Sequence, residues 1–316
     1  MLTIATGKPY YIQLGINLAR SFLLWNKGNE IGFEFVTDNR ALIPSDLKPN
    51  IDIIDIPPGE FGEGFETKLY MDHFTQSRNT LFIDADCLIY RDLTDVFDRL
   101  KGNAVTAIGE DRTRGDFFGD IELLTKKLGL NYMPQFVGGI YYFELGEIAK
   151  KVFEYARGLK PRYDELELVR LRGKENEEPL IALGMAKYDQ HAFPEDGSIK
   201  ADRMFFHQMQ SNVLSGRVRF WNNGEAPKQA YFQIPESRPA IGHFNASFSE
   251  NYEYLSEEVR LNITARKIPQ PFIEAYVFIL FYFPGKVREI LKKQLRPLYH
   301  ALFGVRKVKT TKRVVD

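Results

Sequence analysis

The stretch from Leu81 to Asp86, Leu-Phe-Ile-Asp-Ala-Asp, places two carboxylates one residue apart at the end of an apolar run. The run is rich in β-branched and aromatic side chains, which predicts a buried strand. Side chains repeat every second residue along a strand, so we expect Asp84 and Asp86 on one face where the strand ends. Two hard oxygen ligands suit Mg²⁺ or Mn²⁺, ions that keep positions open for a substrate's phosphates.

The elements that must position these carboxylates alternate between strand and helix over the first hundred residues. The pattern predicts strands at 2–7, 31–37, 51–56 and 81–86, and helices at 11–25 and 66–75. This alternation favours an α/β domain with a mostly parallel sheet. Ligands of such sheets bind beyond the carboxyl ends of the strands, where we expect Thr6, Asp38 and Asp84 to gather.

A later strand is predicted from Phe136 to Phe143 and contains Gly138 and Gly139. Glycines inside a strand often mark a place where a ligand or another part of the chain approaches closely. A helix is predicted from Pro179 to Ala186, because proline is favourable in a first helical turn.

Charge is segregated along the 316 residues, although the formal net charge is zero. From Pro284 to Asp316 ten Lys and Arg face two Asp and Glu, a net +8, so the remaining chain carries 32 against 40, or −8. The single cysteine, Cys87, excludes an internal disulfide and suits a reducing compartment. No secretory signal is visible, so a cytoplasmic enzyme is the simplest expectation.

The basic C-terminal part predicts an amphipathic helix over 271–306. The apolar run from Ala275 to Phe283 is too short to cross a bilayer, which needs about 20 helical residues. We expect Pro284-Gly285 to break the chain after this run. Two interpretations stay open: the helix docks on the anionic inner face of a membrane, or it packs on its own domain or in a homodimer. A nucleic-acid role is disfavoured, because the basic residues share the helix with an apolar face. We expect a catalytic domain over 1–265 and a helical extension over 266–316.

Six segments carry a resemblance to a known family. They are Ala5-Thr6 with Tyr10-Tyr11, Thr67-Lys68-Leu69-Tyr70, Leu81 to Asp86 with Asp92-Leu93 behind it, Phe136-Val137-Gly138-Gly139-Ile140, Glu177-Glu178-Pro179-Leu180 and Ile241-Gly242-His243-Phe244. In order and rough spacing these segments resemble nucleotide-sugar glycosyltransferases of the GT-A fold, and most closely the glycogenin-like family. The resemblance covers about residues 1–250.

The resemblance implies a Mn²⁺- or Mg²⁺-dependent transfer of a hexose from a nucleotide-diphosphate sugar, with UDP as the expected nucleotide, to a glycan or lipid-linked acceptor. The implied metal ligands are Asp84, Asp86 and His243. The implied nucleotide-sugar contacts are Ala5, Thr6, Tyr11, Asp38, Lys68, Asp84, Ala85, Val137, Gly138 and Gly139. The implied catalytic residues are Glu177, Glu178 and Lys68.

The chain departs from the family pattern at three places. Val137 replaces the usual Asn, which removes one hydrogen bond to the donor sugar. Glu177 and Glu178 replace an Asp-Gln pair, which leaves the stereochemical course open. No Gly-x-Lys-Pro-Trp motif follows His243.

Several of these residues also have purely structural interpretations. The two aspartates can cap a helix at a polar strand end, and Asp38 can form a turn before Asn39. Lys68 can be an exposed helix lysine. His243 can be a hydrogen-bonded core histidine, with His207 as the rival ligand.

The remaining structural interpretations concern the glycines and the glutamates. Gly138 and Gly139 can mark a plain bulge instead of admitting a sugar ring. Glu177 and Glu178 can form a solvated first helical turn, instead of acting as a base or shielding the anomeric carbon.

Two other functions compete with sugar transfer. Phosphatases resembling the haloacid dehalogenase family also end a strand in Asp-x-Asp, with Asp84 as nucleophile and Asp86 as acid-base in that case. Their motif is usually followed by a polar pair, whereas Cys87-Leu88 follows here, and it usually lies on the first strand. The second alternative is a non-catalytic, degenerate transferase fold.

Overall fold

The computed structural model describes residues 1–222, 224, 234–266 and 268–304. Its strands are, in chain order, β1 (Leu2–Ile4), β2 (Glu34–Thr37), β3 (Asp52–Asp55), β4 (Asn79–Ile83), β5 (Cys87–Ile89), β6 (Val105–Arg112), β7 (Met133–Glu144), β8 (Phe193–Pro194), β9 (Lys200–Asp202), β10 (Gln208–Asn212), β11 (Arg217–Trp221), β12 (Glu236–Ser237) and β13 (Ile241–His243). Its α-helices are α1 (Pro9–Asn26), α2 (Met71–Phe74), α3 (Thr94–Leu100), α4 (Ile121–Leu128), α5 (Glu147–Leu159), α6 (Glu177–Lys187), α7 (Tyr252–Thr264), α8 (Gln270–Val277) and α9 (Phe283–Phe303).

The central sheet has seven strands in the order β3-β2-β1-β4-β7-β6-β8. All of them run in one direction except β7, which pairs antiparallel with both β4 and β6. The prediction of an α/β fold with a mostly parallel sheet, flanking helices and a C-terminal helix is therefore confirmed.

Strand β4 separates two apolar cores because its side chains alternate between the two faces of the sheet. Leu81 and Ile83 belong to the core that contains α1, and Phe82 belongs to the core that contains α5 and α6. The strand is buried on both faces, which accounts for the continuous apolar run that precedes Asp84.

A small second sheet carries the chain from β4 to the site. Its order is β5-β13-β9, and its register aligns Cys87, His243 and Asp202 side by side. A third sheet, β10-β11-β12, lies beside it, where the ring of Phe220 on β11 approaches Gly242 on β13. Residues far apart in sequence thus meet in one row at the end of β4.

Two local predictions need correction. The helix expected over 66–75 is a 3-10 turn, Gly64–Tyr70, followed by the short α2. The break expected at Pro284-Gly285 does not occur, because α8 continues through a π-helical turn, Phe278–Tyr282, into α9. Proline lacks an N–H, and its ring would clash with the carbonyl four residues earlier in a regular helix. A widened turn before the proline relieves this clash.

The C-terminal helix is therefore continuous from Gln270 to Phe303. Residues 305–316 of the predicted basic extension lie outside the described residues. Within the described part of the chain, no helix combines the length and the apolar character that crossing a membrane requires.

Helix α1 approaches the sheet closely at Gly15. A Cβ on Gly15 would lie 2.7 Å from the buried ring of Phe35 and 3.0 Å from Ala5. We expect Gly15→Ala to lower the free energy of unfolding by about 1–3 kcal/mol, because the buried ring cannot move aside without strain. Urea unfolding of the purified protein measures this change.

Gly158 provides the matched control, since it lies in α5 and a Cβ added there would have nothing within 4 Å. Gly158→Ala should raise the free energy of unfolding by up to about 1 kcal/mol through helix propensity alone. Equal effects of the two substitutions would show that Gly15 does not limit how α1 packs.

Candidate active site

The carboxylates of Asp84 and Asp86 meet different partners. The chain turns at the end of β4, with the N–H of Cys87 donating to the carbonyl of Asp84, so the two side chains do not continue one strand face. Asp84 Oδ2 lies 2.8 Å from Lys68 Nζ, and Asp86 Oδ1 lies 3.1 Å from His243 Nε2. The turn thus produces two adjoining charged clusters.

The first cluster surrounds Lys68, which is buried and not an exposed helix lysine. Its ammonium group contacts Asp84, lies 3.1 Å from Glu177 Oε1 and donates to the carbonyl of Gly138. Burial alone would lower the pKa of Lys68, but Asp84 and Glu177 outweigh it and raise the pKa far above its usual range. Lys68 is therefore a fixed cation.

Glu177 and Glu178 begin α6 and are not a solvated helix turn. The Glu177 side chain is fully buried against Lys68, and Glu178 Oε1 accepts a hydrogen bond of 3.0 Å from the N–H of Gly138. Burial and the neighbouring Glu177 raise the pKa of Glu178 to about 8. This carboxyl group can exchange a proton near neutral pH.

The second cluster is a buried chain of charged side chains that ends at Asp86. Lys200 Nζ lies 3.1 Å from Asp202 Oδ2, and Asp202 Oδ1 lies 2.5 Å from His243 Nδ1. All of these side chains are almost completely buried. Asp202 fixes the ring so that Nε2 faces Asp86, as carboxylates commonly do for metal-binding histidines.

Asp86, Cys87 and His243 form a candidate metal-binding group. One ligand atom of each lies within 4.8 Å of the others in the described structure. Asp84 stands outside this group and stays a predicted ligand. The rival His207 is not part of this group, and its backbone N–H donates to Asn222 Oδ1.

The glycines of β7 bring both clusters together. A Cβ on Gly139 would lie 2.5 Å from the ring of His243, and one on Gly138 would lie 2.6 Å from Glu178 Cγ. The carbonyls of Val137, Gly138 and Gly139 accept from Lys200, Lys68 and the Asp84 N–H respectively. The close approach of these side chains thus explains why glycine stands at both positions. The pairing of β6 with β7 also shifts register nearby, between Ala107 and Gly109, as in a β-bulge.

The predicted donor-binding loops lie at the same edge of the sheet. Asp38 Oδ2 accepts a hydrogen bond of 2.8 Å from the N–H of Gly7, which ties the loop after β2 to the loop after β1. Ala5 is buried, whereas Thr6 and Tyr11 are partly exposed. Ala85 is buried in the turn between the two aspartates.

Sequence reasoning missed Asp202 and Lys200. The only signal was their spacing in Ile199-Lys200-Ala201-Asp202, which puts both on one face of a strand. Their role depends on the pairing of β9 with β13, which no local pattern predicts.

A scan against protein-family models finds no match for the chain, and a search of curated proteins finds none either. Among solved structures, the chain is similar to the galactosyltransferase LgtC in complex with donor and acceptor sugar analogs, at 16% identity and a TM-score of 0.46, covering 65% of this chain and 76% of LgtC.

Two further solved structures are similar to the chain. The bifunctional glycosyltransferase WbbM gives 14% identity and a TM-score of 0.48 over 78% of this chain and 45% of WbbM. Mouse xyloside xylosyltransferase 1 gives 11% identity and a TM-score of 0.48 over 78% of this chain and 97% of the xylosyltransferase chain. At identities below 20% and TM-scores below 0.5, these similarities assign no function to the chain.

The ionisation of His243 provides a direct test of this geometry. Burial alone would lower its pKa, but Asp86 and Asp202 on either side raise it to about 9. We expect NMR titration of the metal-free protein to show His243 still protonated at pH 8. Asp202→Asn should lower the pKa of His243, because one of the two flanking charges is lost.

The folded-state pKa of His243 exceeds the unfolded value of 6.5. Its stabilising contribution is therefore complete below about pH 6.5 and lost as the pH rises through 9. A His243 resonance that titrates near pH 6.5 in both the native protein and the Asp202→Asn variant would contradict the buried ion chain.

Proposed function

We propose that the protein is a metal-dependent glycosyltransferase that moves a hexose from a nucleotide-diphosphate sugar, with UDP as the preferred nucleotide, to a glycan acceptor. The observation that carries this proposal is the pairing of Asp86 with His243 beside the Lys68–Glu177 cluster, at the carboxyl edge of an α/β sheet. Ligands bind at that edge in such sheets.

The donor set fits Mn²⁺ or Mg²⁺. Two ligands at about 2.1 Å on adjacent corners of an octahedron lie about 3 Å apart, which matches the 3.1 Å between Asp86 Oδ1 and His243 Nε2. Burial raises the pKa of Cys87 well above its usual range in the metal-free protein. The carboxylate oxygens of Asp84 and Asp86 are ligands that both ions prefer.

The chemistry divides among the residues of the two clusters. A divalent ion held by Asp86, His243 and Asp84 would act as a Lewis acid toward the departing diphosphate. Lys68, fixed by Asp84 and Glu177, adds a permanent positive charge at the same edge. Asp202 and Lys200 keep His243 oriented.

We assign acid-base chemistry to Glu178. Its carboxyl group lies against Gly138, where the resemblance expects the sugar, and its raised pKa suits proton exchange with an acceptor hydroxyl. Glu177 is engaged with Lys68 and serves to hold that cation. Asp38, Thr6, Tyr11 and Val137 are proposed donor contacts.

The acceptor side of the proposal concerns the C-terminal helix, Gln270–Phe303. Its buried apolar side chains, Ile273 and Val277, lie in its first part, and further along it carries Lys286, Arg288, Lys292, Lys293 and Arg296. Basic charges beside exposed apolar residues favour a surface of anionic lipid. We propose that this helix docks on a membrane and presents a lipid-linked or membrane-bound acceptor.

The metal assignment predicts the outcome of two substitutions. Asp86→Ala and His243→Ala should each weaken Mn²⁺ binding at least about 100-fold and abolish UDP-sugar hydrolysis, because each removes a direct ligand. Isothermal titration with Mn²⁺ alone and a UDP-release assay measure the two effects.

His207→Ala is the matched control and should change neither quantity more than twofold. Unchanged Mn²⁺ binding in both His243→Ala and Asp86→Ala would reject the site. Hydrolysis of p-nitrophenyl phosphate with Mg²⁺, in the absence of any UDP-sugar turnover, would instead favour the phosphatase.

The role of Glu178 predicts a pH profile. Sugar transfer should rise with pH and level off above about pH 8, because a base must be deprotonated to act. Glu178→Gln should lower kcat about 10²–10⁴-fold and flatten that rise.

Glu175→Gln, a change at a partly exposed carboxylate paired with Arg170, is the matched control and should keep the native profile. If Glu178→Gln keeps both the rate and the pH dependence, another group is the base.

A further inference from the structure

A cavity of about 800 Å³ lies at the opposite end of the small sheet from the candidate active site. Cys87 and His243 face the site, whereas Arg91, just after β5, and Pro239, just before β13, line the cavity. One wall is the exposed face of β10 and β11, and the other is the start of the C-terminal helix. No residue of the candidate active site contributes to it.

The cavity is strongly basic. Among the described residues, six charged side chains line it, of which only one is acidic: Arg91, Arg217, Arg219, Arg238, Arg260 and Glu274. The strand pattern explains part of this surface, since β11 turns its arginines outward and buries the apolar residues between them.

Carboxylates neutralise only some of these arginines. Arg260 is paired with two carboxylates, Glu257 and Glu274, which together outweigh its single positive charge. Arg219 and Arg238 share Glu236, which leaves the pair with one surplus positive charge.

Arg91 and Arg217 have no carboxylate partner within the described residues. Arg91 donates to the carbonyls of Ser198 and Arg238, and these contacts leave its charge uncompensated. Two cations and a concave surface together favour an anion with several oxygen acceptors, such as a phosphate.

The opposite wall is aromatic. Phe278 and Tyr282 stack on each other with ring centroids 6.2 Å apart, and both line the cavity. Phe278 is 54% exposed and belongs to the exposed apolar surface of the C-terminal helix. Of the 19 exposed large apolar side chains in the described structure, 14 lie between Ile268 and Phe303.

We propose that this cavity binds the phosphate group of an anionic phospholipid while the C-terminal helix lies on the membrane. The inference rests on the membrane docking proposed above. Arg91 and Arg217 would contact the phosphate, and Phe278 and Tyr282 would contact the glycerol and upper acyl region. A soluble phosphate would use the arginines but gain nothing from the aromatic wall, so the cavity fits a lipid better.

Vesicle binding by the full chain tests the proposal. The probes are vesicles of phosphatidylcholine, alone or with about 30% phosphatidylglycerol. Arg217→Gln should weaken binding to the anionic vesicles about fivefold and Arg91→Gln with Arg217→Gln about 25-fold, because each arginine near an anionic surface adds a similar increment. The exposed pair Arg78→Gln with Arg172→Gln is the matched control and should bind like the native chain.

A second arm separates the cavity from membrane docking. Monomeric dihexanoyl-phosphatidylglycerol should bind the native chain and a Leu298→Glu, Leu302→Glu variant, whereas Arg217→Gln should bind it weakly. That leucine variant should lose vesicle binding. Leu123→Glu is the matched control, because Leu123 is an exposed leucine of α4 outside the C-terminal helix, and it should keep vesicle binding. Loss of short-chain binding only in the arginine variants supports the cavity.

Three outcomes would overturn the proposal. The first is that the native chain and the double arginine variant bind anionic vesicles equally well, which would reject the cavity and leave the proposed membrane docking intact. The second is no binding of the short-chain lipid by the native chain. The third is inorganic phosphate binding as tightly as the lipid, which assigns the cavity to soluble phosphate. UDP-sugar hydrolysis, measured separately, tests the transferase activity independently of all three.

Discussion

The pairing of β13 between β5 and β9 is the constraint on which the site depends. It sets Cys87, His243 and Asp202 in one row and brings His243 to Asp86. The three strands come from distant parts of the chain, so the candidate metal group exists only when the whole domain is folded. A local change in any of these strands should therefore disturb the site and not only the stability.

Burial of so many charges requires that each has a partner. Lys68, Glu177, Lys200 and Asp202 are all nearly inaccessible to solvent, and removing water from an ion costs several kcal/mol unless the ion is paired. The two clusters meet this requirement through alternating signs and through the carbonyls of β7. The same pairing fixes the side chains before a substrate binds, which is what electrostatic catalysis needs.

Local patterns predicted the elements and the residues that lie at their ends. The apolar run before Asp84, the alternation of strands and helices, and the glycines of β7 all had signals in short windows of sequence. The family resemblance added Lys68 and the Glu177-Glu178 pair to the predicted site. Without the resemblance, the local sequence also allowed these residues to lie exposed on the protein surface. Burial decided between these interpretations, and burial is a property of the folded chain.

Tertiary pairing decided what the sequence left open. Lys200 and Asp202 look like any charged residues in a short strand until β9 pairs with β13. Pro284 predicted a break in the helix, and this prediction was wrong. The π-helical turn that accommodates the proline has no sequence signature as strong as the proline itself.

The small sheet also connects the two proposed sites. Its three-residue strands span about 10 Å, with the Asp86–His243 pair at one end and the arginine cavity at the other. If the cavity holds a lipid phosphate, the metal group stands at a fixed short distance above the membrane surface. An acceptor attached to lipid would then have to present its hydroxyl at that height, so the sheet would select acceptors by length as well as by chemistry.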